Sequence, residues 1–202
     1  MMKQKKIISF IVALFFVLAC EKETERMEDF FVDFATVTQL SSQIAFKLDN
    51  NRLLIPKETG SYEGQEGQRV ILNYTLLSGD AIKVNQISDI HTDKIKEAAE
   101  IDFFEKDPVK IQSIWVSGDY LNFIIEIEYF SQMHKIGVVR NSSQSLSDLY
   151  FVHSREDDPP GYAKKMYASF LLTPLKSVSN VVDEFKLHIE TTSGERIFEF
   201  EY

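Results

Sequence analysis

The chain has 202 residues, 44% of them hydrophobic and 26% charged, with a mean hydropathy of −0.16. That is the composition of a folding chain, and it excludes both wholesale disorder and a multispan membrane protein. A single cysteine excludes an internal disulfide, a CxxC pair and a thiolate zinc cage, and 31 acidic against 22 basic residues argue against a nucleic-acid partner, whose phosphates call for a basic face.

In chain order, Lys3, Lys5 and Lys6 precede an apolar run from Ile7 to Leu18. The run is shorter than the roughly 20 residues that a spanning helix needs, so it reads as a targeting segment. It ends in Val17, Leu18, Ala19 and Cys20, which resemble a bacterial lipobox. The resemblance implies removal of residues 1–19, a diacylglyceryl thioether on Cys20 and a further acyl chain on the new amino group. Two or three acyl chains suffice for stable anchoring, at about 0.8 kcal/mol per buried methylene. The mature chain would keep 19 basic and 31 acidic residues, a net charge of −12. Glu21 rather than aspartate after the cysteine favours the outer membrane, facing either the periplasm or the cell surface. Residues 20–29 form an acidic tether.

From Phe30 onward the hydrophobic pattern alternates with period two, which predicts an all-β protein. Phe30 to Thr38 is a first strand. Gln43 to Leu48 and Arg52 to Ile55 form a hairpin across Asp49, Asn50 and Asn51, residues that tolerate positive φ. Arg69 to Leu77 and Ile82 to Ser88 form a second hairpin through Ser78, Gly79 and Asp80. These five strands assign residues 30–92 to an OB-like barrel. The charged segment 93–107, in which Asp93 to Ile101 has the only helix-like spacing, is expected to be a linker.

Residues 108–202 offer seven more strands: Ile111 to Val116, Tyr120 to Phe130, His134 to Arg140, Asp148 to Ser154, Ala163 to Thr173, Glu184 to Glu190 and Arg196 to Tyr202. In the second of these Leu121, Phe123, Ile125, Ile127 and Tyr129 share one face and Asn122, Glu126 and Glu128 the other, so one side is core and the other wet. Phe198, Phe200 and Tyr202 in the last strand, and Phe185, Leu187 and Ile189 in its partner, repeat the pattern. Seven short alternating strands predict an immunoglobulin-like β-sandwich.

Several phrases in order, Glu66-Gly67-Gln68-Arg69-Val70-Ile71-Leu72-Asn73-Tyr74, Lys83-Val84-Asn85, Asp107-Pro108-Val109-Lys110-Ile111 and Ile114-Trp115-Val116, together with the lipobox, resemble the NigD-like lipoproteins. The resemblance spans essentially the whole mature chain and implies an N-terminal OB-type domain followed by a β-sandwich. It implies no catalytic residues. The family name comes from a bacteriocin gene cluster, which implies an immunity or accessory role.

Catalytic signatures are missing from the sequence. There is no GxSxG, no HExxH, no serine three residues before a lysine and no phosphate loop, so the expectation is a non-enzymatic binding protein. His91, His134, His153 and His188 lack metal-ligand spacing, although His134 and His153 would meet if their strands paired, and His188 shares a strand face with Glu190. No metal or cofactor is expected beyond the lipid on Cys20. Glu156, Asp157 and Asp158 before Pro159, Pro160 and Gly161 read as a polar hairpin loop rather than a calcium site. Partners remain of two kinds: an envelope protein, or an oligosaccharide or small ligand held on the barrel by Gln43, Lys47, Arg52 and Tyr62.

Overall fold

The computed structural model describes residues 29–41, 43–176 and 184–201. Cys20, the targeting segment, most of the tether and Tyr202 lie outside them. Five strands, β1 (Phe31–Leu40), β2 (Gln43–Leu48), β3 (Leu53–Pro56), β4 (Arg69–Ser78) and β5 (Ala81–Asp89), close into a barrel in the order β1-β2-β3-β5-β4. The β3–β5 pairing is parallel and the others antiparallel. Asn51 adopts φ of 67° in the β2–β3 turn and Gly79 φ of 60° in the β4–β5 turn, the backbone that these turn residues permit. Ala35, Val37, Phe46, Leu54, Val70, Leu72 and Ile82 fill the barrel, with Tyr62 of the long loop packed against them.

The remaining strands are β6 (His91–Lys94), β7 (Lys96–Glu97), β8 (Lys110–Ser117), β9 (Tyr120–Tyr129), β10 (Lys135–Arg140), β11 (Asp148–Ser154), β12 (Tyr162–Leu171), β13 (Glu184–Thr191) and β14 (Gly194–Glu201). They form a five-stranded sheet, β14-β13-β11-β10-β7, facing a four-stranded sheet, β6-β12-β9-β8. A single helical turn, α1 (Thr173–Lys176), follows β12. Leu121, Phe123, Ile125, Phe151, Phe170, Phe185 and Leu187 lie between the sheets. All seven strands expected in this half are present, and two short ones join them.

Both lie at the segment expected to be a linker. His91 and Thr92, assigned to the barrel, and Asp93 and Lys94 of the linker add parallel to β12 as β6, and Lys96 and Glu97 add to β10 as β7. Ile95, between them, is buried in the sandwich core. Further on, Lys106 bridges to His153 and Val109 to Thr191. Only Ala98–Glu100 is helical, as one 3-10 turn. The reason is the sheet edges: each short stretch satisfies its backbone on a neighbouring strand, and pairings this brief leave no period-two signature in the sequence.

Asn122, expected on a wet face, is fully buried. The outer face of the four-stranded sheet packs on the barrel, and Phe34 of β1 meets Trp115 of β8 edge-on with ring centroids 5.0 Å apart. At the centre of this junction lies Arg69, the first residue of β4, with 0% exposure. Its Nη1 donates to Asp49 Oδ1 at 2.6 Å and Thr36 Oγ1 at 3.2 Å, and its Nη2 to Asp49 Oδ2 at 3.1 Å and Asn122 Oδ1 at 3.0 Å. Its Nε donates to Ser169 Oγ at 3.4 Å, and that hydroxyl donates in turn to Asn122 Oδ1 at 2.7 Å. The guanidinium lies 4.4 Å from the Tyr120 ring centroid. All five donors of the guanidinium are therefore used, three within the barrel and two across the junction.

Breaking a buried ion pair leaves its partner uncompensated and costs about 3–5 kcal/mol. We expect Arg69→Ala to lower the unfolding free energy by that order and to split one denaturant transition into two, because the barrel and sandwich cores share no buried residue. Arg69→Lys keeps the charge but loses the fork, and should fall between the two. Equilibrium unfolding followed by Trp115 fluorescence, and separately by far-UV circular dichroism, reads both effects.

Candidate functional site

Where the chain leaves β5 for β6, a cleft of about 470 Å³ opens between the junction and the end of the sandwich. Asp89, Ile90 and His91 form one wall, Lys164, Lys165, Met166 and Tyr167 of β12 the other, and Ile127, Tyr129, Met133 and His134 the floor and far rim. Tyr129 is the centre of a small aromatic group. Tyr162 meets it edge-on at 5.8 Å, His134 lies 5.8 Å away, and Lys164 Nζ sits 3.6 Å from its ring centroid. Nearby in the chain, Phe130 and Tyr162 are each 59% exposed and Met133 88%, large apolar side chains left in water.

The turn that presents Phe130 and Met133 is held by one carboxylate. Asp158 is buried, and its oxygens accept the backbone N–H groups of Phe130, Ser131 and Gln132 at 2.8–3.0 Å. Across the turn, a Cβ on Gly161 would fall 2.2 Å from the Tyr129 carbonyl oxygen, so only glycine lets the two backbones approach this closely. The acidic loop thus acts as a brace. The oxygens of Asp158 are committed to internal donors. Glu156, at φ of 54°, pairs with Lys135 at 2.9 Å.

Beneath the cleft, His134 and His153 do meet. His134 Nδ1 lies 2.8 Å from His153 Nε2, His134 Nε2 lies 3.2 Å from Asp158 Oδ2, and His153 Nδ1 lies 3.0 Å from the Asp107 carbonyl oxygen. That carbonyl can only accept, so His153 carries a proton on Nδ1. The His134 Nε2, facing a carboxylate, donates to it, and one proton is shared between His134 Nδ1 and His153 Nε2. The chain of bonds runs from the Asp158 carboxylate through the His134 ring to His153 and the Asp107 carbonyl. Each ring nitrogen is occupied by a hydrogen bond, and among the described residues no three His, Cys, Asp or Glu side chains form a metal-binding group. Among the described residues no serine or cysteine nucleophile is hydrogen-bonded to either ring.

Burial, reinforced by the charge of His134, holds His153 below the ordinary imidazole value against the pull of the Asp107 carbonyl. For Asp158 burial opposes ionisation, but the three backbone donors and His134 outweigh it and hold the carboxyl well below the usual carboxylate range.

The four residues expected to form a ligand patch on the barrel are placed apart. Gln43 donates to the Pro56 carbonyl at 3.2 Å, and Arg52 is tied to Asp80 Oδ1 and the Gly79 carbonyl, both at 2.9 Å. Tyr62 packs on the barrel core and donates to Asp89 Oδ1 at 2.7 Å, while Lys47 lines a separate niche with Asp119 and Tyr120. His188 stacks on Tyr150 and faces Glu195 at 3.3 Å rather than acting with Glu190. Of the cleft residues, His91 and His134 are weighed in the sequence only as metal ligands and Ile127 and Tyr129 only as core, and nothing there brings them together as a site. A further signal is Met133, an apolar residue inside the polar turn Ser131-Gln132-Met133-His134.

Against known proteins, residues 34–90 match the NigD-like N-terminal OB domain and residues 91–202 the NigD-like C-terminal beta sandwich domain. Among solved structures, a protein from Parabacteroides distasonis described as toxin-related is 25% identical with a TM-score of 0.76, covering 86% of this chain and 93% of that one. A NigD-like immunity protein from Bacteroides caccae is 23% identical with a TM-score of 0.66, covering 85% and 96%. A protein from Bacteroides fragilis described as a lipoprotein is 12% identical with a TM-score of 0.66, covering 86% and 98%. A search of curated proteins finds no match.

Both pKa shifts are downward, so each group contributes stability that is complete above its unfolded value and is lost as pH falls. Stability should therefore decline in two stages, first below about 6.5 through His153 and then below about 3.8 through Asp158. Urea unfolding across pH should show His153→Asn removing the upper stage and Asp158→Asn the lower.

Proposed function

The chain belongs to the NigD-like family, and from that premise we propose that it is a lipid-anchored envelope protein that acts by binding another envelope protein rather than by catalysis. The observation that carries this reading is the exposure of Phe130 and Met133 on a braced turn and of Tyr162 at the start of β12, with Met133 lining the cleft. An apolar cluster kept in place by a buried carboxylate has the character of a contact surface, in which a few aromatic and methionine anchors supply most of the affinity. The His134–His153 pair lies below it without a nucleophile and serves the brace.

Anchoring through Cys20 rests on the lipobox resemblance, and the fold relative described as a lipoprotein is in keeping with it. Among the described residues no helix is long and apolar enough to cross a membrane. Outer-membrane placement follows from Glu21. A second reading takes its support from the B. caccae relative, whose description as an immunity protein suggests that the bound partner is a bacteriocin or its target. Deleting the gene would then raise sensitivity to a co-encoded toxin, and unchanged sensitivity would remove this reading.

The anchor is tested by labelling with radioactive palmitate, which Cys20→Ser should abolish with release of the protein from the membrane. The function is tested by crosslinking in intact cells, with an unrelated lipoprotein as control and the captured chains identified by mass spectrometry. A reproducible stoichiometric protein partner, lost on Met133→Asp, is expected. Recovery of nothing beyond the control would overturn the reading.

A further inference from the structure

Strand β12 is paired along its whole length on one side and along less than half on the other. Strand β9 follows it from Tyr162 to Leu171, whereas β6 accompanies only Ala168 to Leu171. Upstream of His91 the chain turns away into the barrel, and Ile90 N donates to the Arg69 carbonyl rather than to β12. From Tyr162 to Tyr167 every second residue therefore turns an N–H and a C=O toward the open side. The cleft lies along this edge. We infer that the open edge of β12 takes up an extended, acidic segment of a partner protein as an added strand, continuing the line that β6 leaves.

Backbone pairing would supply part of the affinity and the cleft the selectivity, the division of labour found wherever a peptide adds to a sheet edge. On an added strand, alternate side chains would fall toward Tyr129 and His134 between the sheets, and the others would pass over Tyr167. Charge selects the occupant. Lys164 lies opposite Ile127 on the inner face and Lys165 opposite Glu126 on the outer face, so an ammonium flanks the edge on each side. Glu126 is bonded to Lys110 and Gln112 at 3.0 and 3.1 Å and is not left to neutralise Lys165. Proteins commonly blunt exposed edges with lysine. Here the pair repels basic strands and leaves the edge open to a segment carrying Asp or Glu beside its apolar residues, on a chain that is otherwise acidic.

This rests on the partner-binding reading above and names its mode and chemistry. The test is a displayed library of random decapeptides selected on the full mature chain in its lipid-free Cys20→Ser form. Enriched sequences should alternate apolar with acidic residues and slow amide exchange at residues 162–167. Methylating alternate peptide nitrogens should weaken their binding roughly tenfold or more, as should Lys164→Glu combined with Lys165→Glu. No enrichment over the blank support, or enriched peptides indifferent to N-methylation, would overturn strand addition. A stoichiometric partner crosslinked in cells without any enriched peptide would leave the binding role standing and remove only the edge. Peptides that add to the edge with no cellular partner would do the reverse.

Discussion

Arg69 carries a charge with no exposed surface, and its donors are satisfied only when barrel and sandwich are together. Asp49 and Thr36 come from the barrel, Asn122 and Ser169 from the sandwich, and Tyr120 covers the guanidinium. An apolar contact between domains tolerates sliding, because dispersion and solvent exclusion have no direction. A forked cation bound to named oxygens on two domains does not, since a shift of an ångström breaks several charge-assisted bonds in a place that water does not reach. The backbone nearby adds to this: Thr92 Oγ1 accepts from Arg69 N at 3.2 Å, and Gln68 Nε2 donates to the carbonyls of Arg69 and Ile90 at 2.7 and 2.9 Å. The point where the chain passes from one domain to the other is therefore fixed at the same place as the junction.

That constraint shapes the cleft. One wall is the chain between β5 and β6, whose path the bonds of Gln68 and Arg69 determine, and the other is the edge of β12. The turn on its rim is set independently by Asp158, which gathers three backbone N–H groups and the His134 ring into one buried cluster. Both walls and the rim are in place before anything binds. Less ordering entropy is then lost on association, which is how a modest surface acquires useful affinity.

The sequence shows the strands well and the junction poorly. Alternation along β9 and β13 locates their inner faces, because a sandwich core imposes period two on every strand that lines it. The same rule misreads Asn122, since parity tells which residues share a face but not whether that face meets water or a second domain. Arg69 is hidden for the same reason: it has the parity of Ile71 and Asn73, outward from the barrel, and outward here means into the sandwich. The short strands β6 and β7 lie in a charged segment and are held by edge pairing alone, which leaves no hydrophobic pattern. Of the site, the pairing of His134 with His153 follows from the strand register, with Ile136 opposite His153. Gln43, Lys47, Arg52 and Tyr62 had the polarity of a ligand patch, but Gln43, Arg52 and Tyr62 are each bonded to a different neighbour, and composition carries no information on that.

The claim on which the rest depends is that the two domains form one body with a preformed cleft between them. Residual dipolar couplings of backbone amides in the lipid-free mature protein test it directly, since each domain reports its own alignment in the same sample. One alignment tensor fitting both barrel and sandwich in the arrangement described is the result this account predicts. Separate tensors of different magnitude in the wild-type protein would mean that the domains move independently, and would contradict it.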